Sequence, residues 1–167
     1  VWQTYTFSLE YLADIGLDIS DIGVLLIFPA WGTGEGAVFQ VDTVRLELTG
    51  LRDTDETTEV FSVFDGSPNQ NWAAWNCCAS ISPNLVFDAG RGDVYQFEIG
   101  AEPTVVGFTV DPIFGGGEVP IDASMAENGI ISFDIKVITL PNDLSSTWLM
   151  KIESSDNSTF AELPLIN

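Results

Sequence analysis

The chain contains no histidine, and its only two cysteines, Cys77 and Cys78, are adjacent. Without histidine, Ser-His-Asp and Cys-His nucleophilic catalysis are excluded, as are most zinc and transition-metal sites. Two neighbouring cysteines cannot build a zinc cage, and CC is not the CxxC redox spacing. They can close a ring between neighbours, pair with other chains or remain thiols, and the sequence leaves all three open. Cations are scarce as well: Arg45, Arg52, Arg91, Lys136 and Lys151 stand against 25 acids, for a net charge of −20. Such a field repels nucleic acid and anionic membranes. It suits a solvated acidic surface, and it also allows carboxylates to converge on Ca²⁺, a hard cation that takes oxygen ligands. Long apolar runs are missing too; "VLLIF" (Val24–Phe28) is far too short to span a bilayer.

What is present is strand. In "TYTFSL", Tyr5, Phe7 and Leu9 alternate with polar residues, as a half-buried strand requires. The stretch from Tyr11 to Gly23 has room for one helical turn, but Gly16 and repeated Asp oppose a long helix. "VLLIF" reads as a strand buried on both faces, and Pro29 with Gly32, Gly34 and Gly36 makes the corner after it. In "AVFQVDTVRLEL", Phe39 and Val41 share one parity while Val44, Leu46 and Leu48 share the other. A slip of phase at Asp42 is the signature of a β-bulge. The polar run Thr49–Glu59 has no periodicity and reads as an acidic linker. Beyond it, strands resume from "VFSVF" (Val60–Phe64) to "FAELPL" (Phe160–Leu165). Roughly ten short strands separated by turn signals predict an all-β, jelly-roll-like sandwich of antiparallel sheets.

The stretches "FPAWGTGEGAVFQVD" and "WAAWNCCAS" carry a more specific signal. The part running from "VFDGSPNQNWAAWNCCAS" to the final strands resembles the opening two-thirds of the jelly-roll carbohydrate-binding modules appended to marine bacterial β-glucanases and laminarinases. The first part, "VWQTYTFSL" through "FQVDTVRL", resembles the closing third of the same module. The order is thus out of phase: closing strands over 1–49, an acidic linker over 50–59 and opening strands over 60–167. A unit cut from a tandem array, a circular permutation, or a segment lent to a neighbouring copy would each produce that order, completing one sandwich internally or between chains.

Trp72 and Trp75 lie three apart in a setting of small and polar residues, and Trp31 sits in the Gly-rich corner. Exposed indoles form flat platforms for the apolar face of a sugar ring, so these three are the candidate carbohydrate contacts. The plainer alternative is that they cap the open ends of the sandwich as core. Trp2 and Trp148, at strand starts, are expected in the core or its rim. If Cys77 and Cys78 are joined, the ring rigidifies the loop that carries Trp75. Asp42 and Asp65 are the metal candidates; the resemblance implies a structural Ca²⁺ joining first and last strands. No pair of acids stands out as the general acid and partner of a glycosidase.

Two function classes follow. One is a non-catalytic, extracellular module binding a polysaccharide, of β-glucan type on the resemblance. The other is a structural repeat of an extracellular fibre or surface array, with neighbouring copies of the same chain as partners.

Overall fold

The computed structural model describes residues 1–52, 55–78, 81–126 and 128–166. It is an all-β sandwich of two antiparallel sheets. The first strand, β1 (Gln3–Ser8), turns Tyr5 and Phe7 onto the ring of Phe133, with centroids 5.8 and 6.2 Å away. Ser8 then caps a six-residue helix, α1 (Leu9–Asp14), by accepting the Tyr11 N–H at 3.3 Å. Leu9 and Leu12 anchor its buried side. Three strands follow, β2 (Ile22–Pro29), β3 (Val38–Arg52) and β4 (Asp55–Phe64). Next come β5 (Ala73–Asn76), β6 (Asn84–Asp88), β7 (Gly92–Glu98) and β8 (Val106–Thr109). After a 3₁₀ turn at Pro112–Phe114, the chain ends with β9 (Asn128–Thr139), β10 (Trp148–Ser154) and β11 (Phe160–Pro164).

One sheet has the order β1-β9-β3-β7-β6, with β4 also paired to β3; the other has the order β11-β10-β2-β8-β5. β2 and β3, from the first part of the chain, therefore run through the middle of both sheets, between strands from the second part. Their position explains the composition of β2. All eight of its residues are buried, because a central strand has paired neighbours on both sides and side chains covering both faces.

The slip of phase in β3 is a bulge. Asp42 pairs with Asp134 on β9 but Arg45 pairs with Ser132, so three steps on β3 match two on its neighbour. Thr43 takes the extra position at φ +51°, in the left-handed region. The bulge lets Phe39 and Val41 before it, and Val44 and Leu46 after it, all point into the core. Phe39 meets Phe97 at 5.5 Å and Trp148 edge-on at 4.9 Å, and Phe108 packs against Phe64, Tyr95 and Phe97. Aromatic pairs of this kind add about 0.5–1.5 kcal/mol each beyond the area they bury.

Two stretches differ from expectation. The acidic run Thr49–Glu59 is strand on both sides of residues 53 and 54, which lie outside the described residues. Pairing runs from Val44–Phe64 to Arg52–Asp55, so β3 and β4 form a hairpin where composition pointed to a linker. This arm carries little apolar side chain to alternate; β-branched threonines hold it, with the Thr49 and Thr58 hydroxyls 3.0 Å apart. The second is "AAWN", read as loop, which is edge strand β5 paired with β8.

Candidate functional site

Cross-strand register determines which side chains share the outer face of the five-stranded sheet. Leu149 stands opposite Phe28, and Lys151 opposite Leu26 on one side and Glu162 on the other. Leu26 also faces Gly107 on β8, and Gly107 faces Trp75 on β5. A Cβ on Gly107 would lie 2.0 Å from the Leu25 carbonyl oxygen, so this close approach of β8 to β2 requires glycine. The missing side chain leaves space that the indole across the strand pair can cover. Trp75 is braced from behind by Phe114, 5.1 Å between centroids.

These residues line a groove of about 560 Å³, with Leu26, Phe28 and Leu149 along its floor and Trp75, Cys77 and Val105 on one side. Glu153, Lys151 and Glu162 form the opposite rim. Lys151 Nζ lies 3.3 Å from Glu153 Oε1 and 4.4 Å from the centre of the Phe160 ring. Trp31 stands at one end, 57% exposed. Its turn is closed by Thr33 N–H donating to Ala30 O at 2.9 Å, and Gly32 supplies the required left-handed φ of +79°. The Trp75 indole N–H is buried with no acceptor among the described residues. A second cleft of about 660 Å³, beside the β3–β4 hairpin, has no aromatic lining among the described residues.

The sequence candidates therefore separate. Trp31 and Trp75 come together in the groove. Trp72 does not: it is 5% exposed and part of the core, which corrects the expectation that it forms a platform beside Trp75. It immediately precedes β5, and its backbone N–H donates to Asn69 Oδ1 at 3.3 Å. Cys77 and Cys78 are joined as a vicinal disulfide, and Cys77 lines the groove two residues beyond Trp75. The rim carboxylates missed by sequence reasoning, Glu153 and Glu162, sit on adjacent strands of one side.

The outer face of the six-stranded sheet carries different chemistry. Asp42 and Asp134 stand side by side on β3 and β9, both largely buried. Arg91, delivered by the β6–β7 turn, donates to both, at 3.3 Å to Asp42 Oδ2 and more closely to Asp134 Oδ2. Thr4 Oγ1 donates to the other Asp134 oxygen. Burial opposes the charge on Arg91, but hydrogen bonds to Asp134 and Asp42 outweigh it and hold the guanidinium above its ordinary pKa. Trp2 is partly buried, with its ring 4.4 Å from the Arg91 guanidinium and 5.7 Å from Lys136 Nζ. Lys136 donates to Asp88 at 2.7 Å and, with the Gly90 N–H, lowers the Asp88 pKa. Next to these, Gln40 donates to Gln96 and Gln96 to Glu98.

This arrangement bears on the metal candidates. The strands of Asp42 and Asp65 do lie side by side, since Phe64 pairs with Val44. Asp65, however, is exposed, while Asp42 is buried against Arg91. Among the described residues no group of three or more acids or cysteines converges as a metal cage. At Asp42 the Arg91 guanidinium occupies the position beside the carboxylate that a cation would take. Other aspartates form turns: Asp18, Asp122, Asp143 and Asp156 each accept the N–H and hydroxyl of a serine two residues on. The D-x-S spacing was the sequence signal for that role.

Among the described residues, no helix is long and apolar enough to cross a membrane. Comparison with protein-family models, with curated proteins and with solved structures finds no match to this chain.

Proposed function

We propose that this chain is a non-catalytic, extracellular carbohydrate-binding module that holds a neutral β-glucan in the groove of its five-stranded sheet. The observation that carries the reading is the pairing of an exposed indole, Trp31, with an apolar floor and a one-sided polar rim. The indole offers a stacking face, Glu153 and Glu162 accept from hydroxyls, and Lys151 donates to them. Two rim carboxylates and a net charge of −20 disfavour sulfated or uronic polysaccharides, which leaves neutral glucans. The resemblance to jelly-roll modules of β-glucanases, with the closing third placed first, points the same way. Titration with laminarin, followed by tryptophan fluorescence and calorimetry, tests the reading. Saturable binding that Trp31→Ala removes supports it, and no heat or spectral change across a panel of neutral glucans defeats it.

A further inference from the structure

We infer that the Cys77–Cys78 disulfide is itself part of the ligand-binding wall, and that reducing it opens the wall; this rests on the glycan reading above. Trp75 is on edge strand β5, Cys77 follows the last residue of that strand, and both line the groove. The sulfur surface thus continues the indole surface along the groove.

A purely structural role explains the ring poorly. Entropic stabilisation by a disulfide grows with the loop it closes, and neighbouring cysteines close the shortest loop possible. The strand is already fixed without it. β5 pairs with β8 from Ala73 to Asn76, the Cys77 N–H donates to Val105 O at 3.0 Å, and the buried Thr104 hydroxyl donates to Cys77 O. Asn76 Nδ2 donates to Ile81 O across the loop. What the ring adds is local: it ties exposed Cys78, at φ +74°, against the groove wall. A dithiol reductant supplies two electrons and two protons, breaks the S–S bond to give two thiols, and closes to its own cyclic disulfide. Cys78 is then untied, and the continuous sulfur surface beside Trp75 is lost.

The test follows reduction of the native protein by dithiothreitol, with and without saturating laminarin, counting thiols by alkylation and mass. Contact predicts that bound laminarin slows reduction about fivefold or more, and that the reduced protein binds it about fivefold more weakly, the scale of one or two lost apolar contacts. The C77S/C78S variant should bind like the reduced protein while keeping its near-ultraviolet circular dichroism. Equal reduction rates together with equal affinities in both redox states would overturn the inference while leaving the glycan reading intact. If the oxidised protein binds no laminarin, the glycan reading fails and the inference falls with it.

Discussion

Both sheets bury their inner faces in one aromatic core, yet they turn opposite chemistry outwards. The outer face of the six-stranded sheet carries buried aspartates, the cations Arg91 and Lys136 and the amides of Gln40 and Gln96, nearly all bonded to one another. Most of its polar groups are satisfied internally, with the buried Gln40 Oε1 an exception, and its indole, Trp2, is occupied by Arg91. The five-stranded sheet carries an apolar groove, an exposed indole and a buried N–H without an acceptor. Each face has one buried polar atom without a partner, but only the five-stranded sheet adds an exposed indole and an open apolar groove. Charged and aromatic residues therefore do not by themselves mark a site; what marks it is interaction capacity the protein leaves unused.

The comparison can be broken at several points. Trp72→Ala should destabilise by about 3–5 kcal/mol, as for other large core truncations, seen as a lower denaturation midpoint. Arg91→Ala should cost about 3–5 kcal/mol, because it leaves Asp42 and Asp134 buried without a counter-charge. Adding Asp42→Asn and Asp134→Asn to that variant should recover much of the loss. Glucan affinity of all these variants, measured well below their melting temperatures, should stay near that of the native chain. Recovery by added Ca²⁺ rather than by the asparagines would instead make the aspartates cation ligands.

The pH dependence tests the same face more finely. Lys136 and the Gly90 N–H lower the Asp88 pKa below its ordinary 3.8, so the carboxylate is favoured in the folded state. A lowered folded pKa contributes stability above the unfolded value that is lost as pH falls through the folded one. Asp122, Asp143 and Asp156, lowered by their serine partners, act in the same direction. Melting temperatures should therefore fall as pH drops below about 3.8, and Asp88→Asn should make that fall shallower. An unchanged acid limb in Asp88→Asn would remove Asp88 from the account.

Much of the fold is legible in the sequence because burial imposes a period. Tyr5 and Phe7 announce β1, and the parity change between Val41 and Val44 announces the bulge before any coordinate is known. The hairpin arm from Thr49 to Glu59 was illegible because it does not have the apolar alternation of a core strand; its threonines were the available signal. β5 was hidden for a different reason. Trp75 within it lies over Gly107 while Trp72, just before it, is in the core, so "WAAW" shows no simple alternation. The groove was half visible, through Trp31 and Trp75. Its rim was not, because Glu153 and Glu162 are brought together by the β10–β11 register. Asp42 looked like a metal ligand only until Arg91, 49 positions away, came to lie beside it.

The most direct measurement is laminarin affinity by calorimetry for the native chain, Trp31→Ala and Trp2→Ala side by side. The account predicts that Trp31→Ala loses binding with little change in stability, while Trp2→Ala keeps its affinity and melts at a lower temperature. Binding that survives Trp31→Ala and disappears in Trp2→Ala would place the ligand on the six-stranded sheet and contradict the assignment of the two faces.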